Sequence, residues 1–141
     1  MQTGPRLFTQ TIAATAGNAG TTVTVPANGM YKLMYGQINL TTDATVTNRR
    51  VVLHARDSDD NVLVDIHSGD VVTASLTNQH HEFMQGVYRE TSFIGGALQI
   101  PIPVDLWIQG GDDIYVDVDA GVAGDSFSGY LRFEYADKPP Y

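Results

Sequence analysis

From Leu98 to Ile108 every even position is aliphatic: Leu98, Ile100, Ile102, Val104, Leu106 and Ile108. The odd positions carry Gln99, Pro101, Pro103, Asp105 and Trp107. A helix brings residues three and four apart onto one side, so it cannot gather these six on a single face. Strict alternation predicts a strand with one buried and one wetted face. Pro101 and Pro103 share parity, so the missing N–H donors fall on one flank. That predicts an edge strand, or one that crosses between sheets.

The same period recurs along the chain. Val51, Leu53 and Ala55 alternate with Val52, His54 and Arg56. Val62, Val64 and Ile66 alternate with Leu63, Asp65 and His67. Ile114, Val116 and Val118 alternate with Asp113, Tyr115, Asp117 and Asp119. Leu131, Phe133 and Tyr135 alternate with Tyr130, Arg132 and Glu134, and Val23 and Val25 with Thr22 and Thr24. Between Met30 and Thr42, the residues Met34, Ile38 and Leu40 share one parity. Turn residues separate these runs at Asn28-Gly29, Asp57–Asn61, Gly110–Asp112 and Ala120–Asp125. Gly95-Gly96 reads as a bulge or bend inside a strand. Val71–Asn78 is ambiguous and admits a short helical turn. About eight to ten short strands at this turn spacing predict an all-β antiparallel sandwich or barrel with little or no helix. Residues 1–7 read as an N-terminal arm, 8–136 as one sandwich domain and 137–141 as a C-terminal tail.

Composition narrows the function. The chain has 141 residues, 43% hydrophobic and 17% charged, which is a globular balance. With no cysteine it has no disulfide scaffold, thiol catalyst or Cys-type zinc site. A net charge of −8 argues against nucleic acid and anionic membranes as partners. No apolar run has the length of a membrane span, and Met1–Arg6 shows no apolar signal core.

No constellation points to catalysis. There is no Gly-x-Ser-x-Gly elbow, phosphate loop or dinucleotide fingerprint. Asp57-Ser58-Asp59-Asp60-Asn61 offers three carboxylates on a short loop, as calcium requires, but lacks the Gly and Glu of an EF-hand. A polar hairpin tip explains it better, since Asp and Asn are what turns use. From Asp105 onward there are eight acids against two bases. A paired-carboxylate glycosidase site there is conceivable, but a solvated acidic face that discourages edge pairing is the stronger reading. His80 and His81 are adjacent on a strand and point to opposite faces, so they cannot chelate together. His54 and His67 sit on facing strands and could pair across them, which falls short of a full ligand set. The histidines read as surface residues. No cofactor and no metal are expected.

Aromatic side chains on outward parity suggest contacts instead. Trp107 and Tyr115 both face away from the aliphatic side of their strands. Such rings anchor partner interfaces or stack on sugars. Arg6 and Phe8 at the N-terminal end, Tyr141 at the other, and the Arg49-Arg50 pair complete the candidate interface. The arginine pair, in an acidic chain, suggests an inter-subunit ion pair.

The run Tyr31-Lys32-Leu33, then Thr41-Thr42-Asp43-Ala44-Thr45-Val46-Thr47-Asn48-Arg49-Arg50-Val51-Val52-Leu53, continues through Arg56-Asp57-Ser58-Asp59-Asp60-Asn61-Val62-Leu63. With Leu106-Trp107-Ile108-Gln109-Gly110-Gly111-Asp112-Asp113-Ile114, it resembles the jelly-roll head decoration, or cement, proteins of tailed bacteriophages. The resemblance implies a jelly-roll sandwich and a non-enzymatic virion protein. It also implies a homotrimer, made in the host cytoplasm, that binds the major capsid protein lattice from outside and stabilises it. It transfers no catalytic residues. The competing expectation is a carbohydrate- or receptor-binding module of a phage tail or fibre, stabilised by calcium. That reading would give Trp107, Tyr115 and the Asp57–Asn61 loop the central role.

Overall fold

The computed structural model describes residues 6–137. Ten strands follow in chain order: β1 (Arg6–Ala16), β2 (Thr21–Thr24), β3 (Gly29–Thr41), β4 (Arg50–Arg56), β5 (Val62–His67), β6 (Gln79–Met84), β7 (Ala97–Pro101), β8 (Trp107–Gln109), β9 (Asp113–Asp119) and β10 (Ser126–Asp137). Among the described residues there is no helix. Val71–Asn78 is an irregular connection turning at Ala74-Ser75, with Ser75 and Asn78 at positive φ.

The strands form two sheets. One has the order β1-β10-β3-β6-β7, with β8 also pairing β3, and the other β2-β9-β4-β5. Set aside β7 and β8, and eight strands remain as two four-stranded sheets, β1-β10-β3-β6 facing β2-β9-β4-β5. Consecutive strands alternate between or fold across the sheets as two Greek keys, which is the jelly roll. β7 and β8 are an insertion between β6 and β9. The pairing β6·β7 is parallel, the one departure from the antiparallel pattern expected.

The core lies between the sheets. Leu33, Ile38, Leu40, Phe83, Leu98, Ile100, Phe127, Leu131 and Phe133 on one side meet Val51, Leu53, Ile66, Ile114, Val116 and Val118 on the other, all buried. Each such side chain contributes roughly 1.5–3 kcal/mol through area removed from water. In β4 and β9 the buried residues are those that alternation predicts, with Asp113, held by Arg56, the exception.

Three sequence expectations need correction. The run from Leu98 to Ile108 is two short strands, β7 and β8, divided by a turn in which Asp105 has φ 58°. Pro101 and Pro103 supply no ladder donors there, and Val104 is left 68% exposed. β7 is nonetheless an edge strand, as the prolines imply. In β3 the buried residue is Leu33 rather than Met34, because the register with β10 shifts between Arg132 and Phe133 and Met34 is the extra residue. An inserted residue flips the parity of everything beyond it. Gly95-Gly96 forms no bulge. It is the two-residue turn between Ile94 and Ala97, with φ 61° and 78°, the left-handed pair a tight hairpin requires.

At the ends, β1 begins at Arg6 and is paired with β10 from that residue, and β10 runs to Asp137. The rest of the expected arm (1–5) and tail (138–141), with Tyr141, lies outside the described residues.

Candidate interaction surfaces

Arg49 and Arg50 are sequence neighbours with opposite fates. Arg49 precedes β4 by one residue, and its backbone bridges Val72. Its side chain has no exposure. Nε donates to Asp125 Oδ2 at 2.9 Å and Nη2 to Asp125 Oδ1 at 3.0 Å, a two-pronged contact. Nη2 also donates to Asp43 Oδ1 at 3.0 Å and Nη1 to the Thr47 carbonyl at 2.9 Å. Asp125 further accepts from the amides of Asp43 (2.9 Å) and Val122 (3.0 Å). Burial pushes the Asp125 carboxyl up, but Arg49 and these amides outweigh it and hold it below the usual carboxylate range. The site is closely packed: a Cβ on Gly124 would lie 2.1 Å from Asp43 Oδ2. Arg49 therefore does not reach the surface, and its expected inter-subunit ion pair is an internal one.

Arg50 points outward on β4, opposite Asp119 of β9. It lines a shallow depression on the four-stranded sheet with Val52, His54, Asp65, His67, Asp117 and Asp119. The register sets Asp65, not His67, opposite His54. Asp65 Oδ1 lies 3.2 Å from His54 Nε2 and 3.5 Å from His67 Nδ1, so the carboxylate sits between the two imidazoles. On the same face Arg56 lies over the Tyr115 ring, 4.1 Å from its centroid. Its Nε donates to Asp113 Oδ1 at 2.9 Å and its Nη2 to Oδ2 at 3.3 Å. Asp113 is thus committed to an arginine, which removes it from any carboxylate pair with Asp117.

The Asp57 carboxylate is used within its own hairpin. Oδ1 accepts from the amides of Asp59 and Asn61 at 2.9 Å, and Oδ2 from Asn61 Nδ2 at 3.0 Å. The Asn61 side chain, its amide and the Asp59 amide lower the carboxyl pKa against a weaker opposing effect of burial. Among the described residues, no three His, Asp or Glu side chains are grouped so as to hold a metal ion.

β6 places its two histidines on opposite faces, as the strand reading requires. His80 turns outward to Asn39 and Gln37. His81 is fully buried, contrary to its reading as a surface residue. Its Nδ1 lies 3.2 Å from the Ile38 carbonyl and 3.1 Å from that of Gln79, so Nδ1 carries the proton. Among the described residues Nε2 has no partner, and the Phe93 ring stands edge-on at 5.2 Å. Burial lowers the His81 pKa to about 4.

Arg6 and Phe8 come together at the β1 end of the six-stranded sheet. Phe8 packs edge-on to Tyr31 at 4.9 Å and stacks on Phe133 at 5.6 Å, and Tyr135 stands edge-on to Tyr31 at 5.9 Å. Arg6, Leu7, Phe8, Pro26, Tyr31 and Tyr135 line an open groove there. Leu7 is 57% exposed. Trp107 lies apart, with the Lys32 ammonium 5.0 Å from its ring centroid. Lys32 is held by Glu134 at 3.0 Å and Asp105 at 3.5 Å. The six expected contact residues that are described, Arg6, Phe8, Arg49, Arg50, Trp107 and Tyr115, do not form one patch. Leu7, Tyr31 and Tyr135 join Arg6 and Phe8 in the groove only because β1 pairs with β10 and β10 with β3.

No protein-family model and no curated protein sequence matches the chain. Among solved structures it is similar to the VP2 subviral particle of infectious bursal disease virus, with a TM-score of 0.39 and 13% identity over 92% of this chain and 32% of that one. It is also similar to a structure of the Gx strain of that virus, with a TM-score of 0.33 and 10% identity over 96% of this chain and 41% of the other. The chain thus spans less than half the length of either structure. The strand order alone makes this fold a jelly roll.

Proposed function

We propose that this protein is a non-enzymatic structural component of a virion that attaches to the outer surface of a phage capsid and stabilises the shell. The observation that carries this reading is the strand order, β1-β10-β3-β6 against β2-β9-β4-β5, which is the jelly roll that the sequence resemblance implies. A second observation supports it. Several charged residues that could have served chemistry are engaged in the scaffold: Arg49 with Asp125 and Asp43, Arg56 with Asp113, Asp57 with its own loop. A rigid sandwich bridging neighbouring capsid subunits adds buried area to the lattice and needs no reactive group. In this reading the protein acts as a homo-oligomer, with three copies the number the resemblance implies.

Binding of sugars or a receptor by a tail or fibre module is less well supported. Lys32 covers one face of Trp107 and Arg56 one face of Tyr115, so neither ring offers that face to a sugar. The test is to mix purified protein with empty, expanded phage heads and follow co-sedimentation and the temperature at which the heads release their subunits. Saturable binding with a raised release temperature is the expected result. No binding, together with affinity on a glycan array, would replace this reading with the receptor-binding one.

A further inference from the structure

Among the described residues five strand edges bound the two sheets, and they are not alike. β2 is only four residues long and β8 only three. β5 carries Asp65, its register is broken between Ala55 and Arg56, and Arg89 Nη2 donates to the His67 carbonyl at its end. β7 is covered: the Glu90 carboxylate accepts from the Gln99 amide at 2.6 Å, the Glu90 amide donates to the Gln99 carbonyl at 3.2 Å, and the strand ends on Pro101. Short length, charge, a covering loop and proline are the devices by which sheets avoid edge-to-edge pairing.

β1 is defended only by Arg6 at its start and a register shift after Ile12. It is eleven residues long and contains no proline and no acid, with Arg6 its one charge. One edge is paired with β10, and among the described residues no strand or loop pairs with the other. The carbonyls of Thr11 and Ala13 accept from side chains of the strand itself, Gln10 Nε2 at 3.3 Å and Thr15 Oγ1 at 2.8 Å. That marks the odd residues as those whose backbone groups face outward. The stretch from Arg6 to Ile12 keeps an unbroken register with β10, and the shift begins only after Ile12.

We propose that the free edge of β1 is a self-association site. A second copy of this chain adds its own β1 antiparallel across a two-fold axis near Thr9-Gln10-Thr11, joining two six-stranded sheets into one. Charge selects this occupant. Two copies of a chain of net charge −8 repel one another as wholes, but β1 itself carries no acid and its centre is neutral. The antiparallel arrangement sends each Arg6 to the far, uncharged end of its partner strand. Like charges opposite one another, which would oppose pairing, do not arise. The exposed Leu7 and the aromatic groove beside it become flanks of the new contact. An isologous contact of this kind closes at two copies, against the three that the resemblance implies. It stands on the β1 geometry and does not rest on the capsid reading, so failure to bind phage heads leaves it intact.

The test is native mass by light scattering over a concentration series reaching millimolar. The mass should rise from 15.3 kDa to twice that value. Thr11→Pro removes one outward N–H without touching the ladder to β10, and should hold the mass at one copy while keeping the melting temperature of the parent. Because the chain has no cysteine, single substitutions Thr9→Cys, Gln10→Cys and Thr11→Cys report the axis directly. At least one should give a disulfide-linked dimer on mild oxidation, several-fold above an Asp59→Cys control at the hairpin tip. A constant single-copy mass with no cross-linking above that control would overturn the proposal. A trimer whose mass is unchanged by Thr11→Pro would overturn it equally.

Discussion

Two arginine–aspartate pairs stabilise this sandwich from opposite situations. At one end of the core, Arg49 and Asp125 have no side-chain exposure. On the outer face of the four-stranded sheet, Arg56 and Asp113 make a contact of the same length, 2.9 Å, with 15% and 11% of their side chains exposed. The buried guanidinium spends its donors on two aspartates and a carbonyl, while the outer one also covers a tyrosine ring. The difference is what remains when one partner is removed. A buried carboxylate without its arginine cannot recruit solvent, whereas a partly exposed one can.

The largest effect should therefore follow Arg49→Ala. Loss of about 3–5 kcal/mol is expected from the stranded Asp125 carboxylate, read as a lowered urea midpoint. The double variant Arg49→Met/Asp125→Leu should recover part of that loss, because it removes the isolated charge along with its partner. A loss under about 1 kcal/mol for Arg49→Ala would mean that the end of the sandwich opens to water.

His81 sharpens the contrast through pH. Its pKa is about 4 in the fold against 6.5 for the free side chain, so the unfolded chain takes up the proton first. The His81 contribution to stability should be complete above pH 6.5 and be lost as pH drops towards 4, on the order of 3 kcal/mol. His81→Leu should flatten that window in a series of urea melts. Asp125, with its lowered pKa, adds a further loss only in the carboxylate range below.

Arg56→Ala should cost about 1 kcal/mol, since its pair is reached by solvent and the ring contact adds a similar small amount. That loss should shrink at high salt, while the loss from Arg49→Ala should not. The smallest effect belongs to the hairpin tip. Asp57→Ala should lower the melting temperature slightly. Calcium or a chelator should leave that temperature unchanged in the parent, because the Asp57 oxygens already serve the loop. A calcium-induced rise would restore the metal reading of this segment.

The four-stranded sheet was the easier to read. In β4 and β9 one face is covered by the opposite sheet and the other is wet, so polarity alternates with each residue. β1 escaped that logic. As an edge strand it is exposed on most positions, and only Ile12 is buried, so no alternation is written into Arg6–Ala16. β3 misled by a single residue, because a bulge is a property of two strands in register and not of one sequence. The interface candidates fared unevenly for the same reason. Parity told correctly that Tyr115 faces outward, and continued from Val51, Leu53 and Ala55 it sets Arg49 inward and Arg50 outward, but the partner that lets a charge be buried there, Asp125, lies 76 residues further on.

The sequence by itself determined the class of fold. Period-two alternation, frequent turns and the lack of a helical pattern admit only sheets that bury one face. Tertiary structure decided the strand order, the partner of Arg49, the inward turn of His81, and which edge was left open. Those outcomes depend on contacts between residues far apart in the chain, whose free energies no local pattern encodes.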